Sequence, residues 1–271
     1  MDQVMFIVWR ESVEALLVVG ILYAWLKASP AGKPGIKYLW GGVAAGLALS
    51  GLLALGILGI SSWLSDDGQE YFQAGMALVA AALVVQMVYW MKKHGRTLKR
   101  ELESGLSDAV SHANWWGLLI LVMVAVAREG SETVVFLYGS VAGADAAQWP
   151  RLILAGALGL LAAFATFWLL QLGGRIMTWR RFFALTEVLL LLLAGALLVS
   201  GLEKLVDLGT LPSLLDPVWD SSALLDDSQS VGKLLADFAG YRSHPALMVL
   251  LIWLAYWVGT VTLLRRNQAR R

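Results

Sequence analysis

Apolar runs about 20 residues long recur through the whole chain, and this recurrence limits what it can fold into more than any other feature. A helix needs about 20 mostly apolar residues to cross a hydrocarbon core about 30 Å thick. Composition agrees: 58% of the 271 residues are hydrophobic and 15% are charged, where a soluble domain carries about 25% charged residues. The chain reads as an all-α polytopic membrane protein with seven transmembrane helices, at 4–26, 39–63, 72–91, 115–139, 151–172, 182–206 and 245–264. Met1, Asp2 and Gln3 supply no basic region ahead of the first apolar run, and that run itself holds charges. No cleaved signal peptide is therefore expected, and the first helix should remain in the mature protein.

The connections alternate in charge. Lys27, Lys33 and Lys37 separate the first two spans; Lys92, Lys93, Arg96, Lys99 and Arg100 separate the third and fourth. Arg175, Arg180 and Arg181 separate the fifth and sixth, and Arg265, Arg266, Arg270 and Arg271 follow the last. The other connections are acidic, with Asp66, Asp67 and Glu70, then Asp145, then Asp207, Asp216, Asp220, Asp226, Asp227 and Asp237. Basic loops stay cytoplasmic, so the pattern predicts an outside N-terminus and a cytoplasmic C-terminus, which an odd number of spans requires. The acidic connection, 207–243, is the one long outer segment; its Pro, Asp and Ser content around an apolar patch near Leu234 suggests short surface helices. It reads as a cap over a pathway or as a plain solvated connector. The organisation expected is a six-helix core at 1–206, the outer segment, and at 244–271 a seventh helix with a basic tail.

Two charged motifs lie inside apolar spans. Arg10-Glu11-Ser12-Val13-Glu14 in the first recurs as Arg128-Glu129-Gly130-Ser131-Glu132 in the fourth. Gly42, Gly46, Gly51, Gly56 and Gly59 in the second span and Gly156 and Gly159 in the fifth suit close helix contacts in lipid. An odd number of spans separates the motifs, so the copies run in opposite directions. That layout is a three-plus-three inverted-topology repeat, about 1–91 and 115–206, with the site between the halves and the seventh span outside the repeat.

Glutamates three apart share one helix face about a turn from each other, so each motif can grip one ion with two carboxylates. A charge near a helix centre costs about 2.5 to 3.5 kcal/mol on an insertion scale, so Arg10 and Arg128 are expected to pair with carboxylates and orient them. Glu11 and Glu132 each fall about 10 Å below an outer span end at 1.5 Å per residue. Face to face, the motifs supply Glu11, Glu14, Glu129 and Glu132 against two arginines, leaving two negative charges in excess. The chain has no cysteine, so any metal is held by oxygen or nitrogen; oxygen ligands point to magnesium, calcium, manganese or iron. Buried ion pairs locking the first helix to the fourth, or a proton relay, are the alternatives from the residues alone.

These motifs resemble the oxidase-dependent iron permease family, which includes fungal high-affinity iron permeases and bacterial Efe-type and Ftr-type permeases. The family carries Arg-Glu-x-x-Glu, usually Arg-Glu-Gly-Leu-Glu, in its first and fourth transmembrane helices. The charged positions match here; Ser12-Val13 stands for Gly-Leu in the first copy and Ser131 for Leu in the second. Trp219-Asp220-Ser221, Gly232, Gly240-Tyr241 and Pro245 also look like the family's late outer segment, so the resemblance covers nearly the whole chain. It implies a high-affinity uptake permease of the cell (inner) membrane for ferric or ferrous iron, with no permanently bound cofactor and iron as cargo. The resemblance implies an oxidase or cupredoxin-type partner outside, and some relatives are associated with lead. Rival readings are a proton-linked transporter of another divalent metal, such as manganese or lead, and a non-transporting docking subunit.

Glu187 in the sixth span is a candidate relay, or a local ion-pair partner of Arg180 and Arg181 by snorkelling; Gln86 in the third span is a weaker helper. His94, His112 and His244 fall in connections or at span edges, where they make no haem site. Trp63, Trp90, Trp115, Trp116 and Trp149 at span ends read as an interfacial belt in contact with lipid. Gly232-Lys233 lacks the spacing of a phosphate loop, and nothing in the chain suggests nucleotide or nucleic-acid binding or enzymatic chemistry.

Overall fold

Local signals set several helix ends. Ser65 Oγ accepts the Gly68 N–H at 3.3 Å, and Asp66 and Asp67 follow in the first turn, where the helix dipole favours negative charge. Asn114 Oδ1 accepts the Gly117 N–H at 3.0 Å and starts another helix in the same way. Gly209, at φ 70°, and Gly240, at φ 72°, follow the ends of two more; left-handed backbone is available to glycine at little cost.

The computed structural model describes residues 2–28, 32–94, 114–141, 146–171 and 179–269. Its elements are α1 (Asp2–Ala28), α2 (Gly35–Trp63), α3 (Asp66–His94), α4 (Trp115–Val141), α5 (Trp149–Gln171), α6 (Trp179–Asp207), α7 (Ser230–Ala239) and α8 (Leu247–Ala269). A 3-10 turn, Ala146–Gln148, precedes α5, and there is no strand among the described residues. Each stretch expected to be a span lies largely in one helix. Five helical stretches are long and apolar enough to cross a membrane: Gly35–Trp63, Asp66–Lys92, Trp149–Gln171, Ala184–Asp207 and Leu247–Arg265. The other two long helices, α1 and α4, are those with the charged motifs, and no membrane-length stretch of either avoids its motif. Of the charges used above for orientation, Arg96, Lys99, Arg100, Asp145, Arg175, Arg270 and Arg271 lie outside the described residues, as does His112.

The most extensive helix contacts are α2 with α4, α3 with α6, and α1 with α5. Glycines set two of them. A Cβ added at Gly46 would come within 3.0 Å of Met123 O, Val126 Cβ and Ala127 N on α4. At Gly159 the atoms met are Met5 O, Val8 Cβ and Trp9 N on α1. Met5, Val8 and Trp9 hold the places relative to Arg10 that Met123, Val126 and Ala127 hold relative to Arg128. The small residue lets each backbone approach the other just beside a motif. Gly51, Gly56 and Gly59, by contrast, face open space, so close packing does not explain them.

One buried cluster joins α1, α3, α4 and α6 through Phe6, Ile7, Val84, Met87, Phe136, Leu190 and Leu193. A second ties α1 to α2 and α4 through Leu22, Leu26, Leu39, Leu118 and Val122. Between them the motif helices cross. The segment 207–243 folds into turns and one short helix, α7, seated on α6 and on the start of α1. Phe238 packs edge-on against Phe6 at 5.8 Å, the Gln3 side chain donates to Asp237 O, and Arg242 Nε reaches Glu203 Oε1 at 2.6 Å. α8 leans on α6, with Tyr256 OH donating to Leu191 O at 2.7 Å.

Candidate metal centre

α1 and α4 pack with their motifs facing each other, and the glycine contacts bring α5 and α2 against the turns that precede Arg10 and Arg128. One carboxylate oxygen from each of Glu11, Glu14 and Glu129 lies within 4.8 Å of the others. Glu11 is 2% exposed, and the remaining two are largely buried. Three negative groups at this spacing repel one another unless a positive charge stands among them.

Arg10 supplies part of that charge. It is 1% exposed, donates from Nη1 to Glu11 Oε1 at 2.6 Å, and pairs through Nη2 with Glu14 Oε1. Its other neighbours are thioethers on α3: Met87 Sδ at 3.1 Å from Nη1 and Met91 Sδ at 3.3 Å from Nη2. Arg128 is held differently. Its Nε donates to Glu132 Oε1 at 3.0 Å and stands 3.9 Å from Glu129, and its guanidinium carbon lies 4.6 Å from the centre of the Trp90 ring.

Glu132, the fourth carboxylate of the two motifs, is paired with Arg128 and also lines a pocket of about 210 Å³ with Leu83, Gln86, Met87, Trp90 and Arg128. Glu11 Oε2, Glu129 Oε2 and Glu132 Oε2 are buried without a hydrogen-bond partner. A buried acceptor left unpaired costs about 1–3 kcal/mol, more when charged, so such oxygens are poised for a cation. No thiol is present, and these oxygens suit a hard or borderline cation.

Gln86 is exposed in the pocket wall. Glu187 lies apart from the centre, with Oε1 2.5 Å from Lys92 Nζ, so its partner is on α3; the side chains of Arg180 and Arg181 are outside the described residues. His244 lies outside the helices, 3.0 Å from Asp220. Trp90, read from its position as part of an interfacial belt, instead faces Arg128 across the pocket. Sequence reasoning also missed Met87 and Met91. Their signal was the spacing of Met87, Trp90 and Met91, which places all three on one face of α3.

Long apolar helices enclosing a buried carboxylate centre define a membrane protein built to handle a cation. Comparison gives the family. The chain belongs to the iron permease FTR1 family, whose model matches residues 1–265, and it is a transmembrane protein of iron transport. It is 30% identical over 254 residues to the "Ferrous iron permease EfeU" of Escherichia coli O157:H7, covering 93% of this chain and 91% of the relative. The same figures hold for the protein of that name from Shigella sonnei (strain Ss046). The Shigella flexneri relative is 31% identical over 192 residues, 70% of this chain and 80% of its own. No solved structure matches the chain.

Proposed function

We propose that this protein is a carrier, not an enzyme, that takes iron into the cell across the cell (inner) membrane, holding the ion between α1 and α4. The observation that carries this reading is the convergence of Glu11, Glu14 and Glu129 from two helices, with buried oxygens of Glu11, Glu129 and Glu132 lacking any partner. Arg10 and Arg128 neutralise two of the four carboxylates in the empty site. A divalent ion then leaves the centre neutral, which favours the ferrous form named for the relatives. Iron is cargo here, and no permanent cofactor is invoked.

Seven helices span the membrane in this reading, with the N-terminus outside and the C-terminus in the cytoplasm. Arg10 and the motif glutamates face into the contact between α1 and α4, and Arg128 faces Glu132 and the adjoining pocket, which lowers the insertion cost of these charges. Residues 1–91 and 115–206 form an inverted repeat, supported by the matched contacts of Gly46 and Gly159 and by the exchange of α2–α4 for α5–α1. Rocking of the halves about the shared centre gives alternating access. The segment 207–243 lies outside and is the surface for an oxidase or cupredoxin-type delivery partner.

Uptake of radioactive iron into proteoliposomes tests the reading, with wild type beside Glu11→Ala and Glu129→Ala and with manganese, zinc and lead as competitors. Uptake lost in both correctly inserted variants is expected. Normal uptake in both would reduce the motifs to structural ion pairs, and preferential competition by manganese or lead would change the cargo.

A further inference from the structure

The two motif copies match in their charged residues, yet their arginines do different things. Arg10 spans both glutamates of its own copy and is sealed beneath two thioethers. Arg128 engages only Glu132 at hydrogen-bond distance; at 3.9 Å from Glu129 it is too far to donate, and it is 41% exposed. The difference has a local cause. The Trp90 ring lies 4.6 Å from the Arg128 guanidinium carbon, within the about 6 Å range at which the negative face of an indole attracts a cation, and indole is the strongest of the aromatic faces.

Without that seat, the attraction of the indole face for Arg128 would be gone. A guanidinium fork matches paired acceptors, so Arg128 would settle across Glu129 and Glu132 as Arg10 settles across Glu11 and Glu14. Glu129 would then carry a fixed positive partner. The three-carboxylate cluster would lose its one carboxylate that no arginine holds at hydrogen-bond distance, and with it negative charge free for the ion. The Glu129 oxygen that is buried and unpartnered is what this arrangement leaves available.

We infer that Trp90 is a positioning residue: its ring holds Arg128 off Glu129 and so keeps the third carboxylate open to the ion. One face of α3 thereby addresses both motif arginines, with Met87 and Met91 on Arg10 and Trp90 on Arg128. The inference rests on the reading of Glu11, Glu14 and Glu129 as the ion site.

The test measures binding of radioactive ferrous iron to the purified full-length protein by anaerobic equilibrium dialysis, together with proteoliposome uptake. Wild type and Glu129→Gln come first; equal binding by these two would overturn the carboxylate site itself. Given a difference there, Trp90→Leu should weaken binding by about threefold to tenfold, the scale of a cation–π contact between the exposed and desolvated limits. KM should rise in parallel while the rate at saturating iron is kept. Trp90→Phe should restore most of the affinity, and Trp90→Leu should add nothing in an Arg128→Gln background. Wild-type affinity in Trp90→Leu, equal losses for Phe and Leu, or additive losses with Arg128→Gln would each overturn the inference. If Trp90→Leu fails to insert, Trp90→Tyr and Trp90→Phe carry the test: each should bind between wild type and Glu129→Gln, and a loss as large as that of Glu129→Gln would overturn it.

Discussion

Replacing Arg10 by alanine separates a carboxylate centre that awaits a cation from one that merely cements two helices. The guanidinium is 1% exposed and paired with both Glu11 and Glu14. Its loss leaves three carboxylates within 4.8 Å of one another, while the nearest remaining guanidinium, Arg128, is engaged with Glu132. Removing one partner of a buried ion pair costs about 3–5 kcal/mol, because the remaining charge stays buried and unpaired. The same truncation at Arg128, which is 41% exposed, should cost about 1 kcal/mol, since water screens much of that pair. A bound divalent cation replaces the missing positive charge in Arg10→Ala. Iron at about 100 times its dissociation constant stabilises a protein by about 2.7 kcal/mol, and the more negative centre should bind it more tightly. Thermal unfolding in detergent, with chelator and then with anaerobic ferrous iron, reads both effects. Arg10→Ala should melt well below both wild type and Arg128→Ala in chelator, and iron should close much of the gap. Equal destabilisation of the two variants in chelator, or a gap that iron leaves unchanged, would refute the reasoning.

Gly46→Ala and Gly159→Ala should each destabilise by about 1–3 kcal/mol, because the new methyl group meets α4 or α1 backbone; Gly56→Ala, with open space around it, should be neutral or mildly stabilising by the same melting assay. Glu187→Gln should keep iron uptake and lower stability by about 1 kcal/mol, since Lys92 already pairs with Glu187 on a partly exposed surface; lost uptake with iron binding intact would make Glu187 the relay. In the segment 207–243, hydrogen bonds from the Ser222 and Ser228 hydroxyls and backbone N–H groups hold the Asp220 and Asp226 carboxyls below their ordinary value of 3.8. The depressed folded-state value means this stabilisation is present above the ordinary carboxyl range and is lost as pH falls through the lowered one. The protection factors of the Ser222 and Ser228 amides, with the intrinsic pH dependence of exchange divided out, should therefore stay flat from neutral pH down to that range and fall below it; a fall beginning nearer neutrality would exclude these carboxylates as the cause.

By itself, the sequence determined that this chain is helical and lives in a membrane, because apolar runs long enough to cross lipid leave few other solutions. It also named the charged residues at the centre. Six charges inside two apolar helices are costly enough that their identity and spacing are informative without coordinates. The resemblance to the family was read from the same residues, and the match of the family's model over residues 1–265 bears it out. Which glutamates meet was not legible. Spacing along one helix fixes which side chains share a face, but the distance between carboxylates on different helices depends on crossing angle and axial register. Here that register brings Glu11 and Glu14 of α1 to Glu129 of α4. The surroundings of the two motif arginines come from a third helix, α3. Its Met87, Trp90 and Met91 look like ordinary lipid-facing or interfacial residues in a one-dimensional reading. Only when α3 is packed against both motif helices do a thioether pair and an indole become the surroundings that make two motifs with the same charged residues unequal.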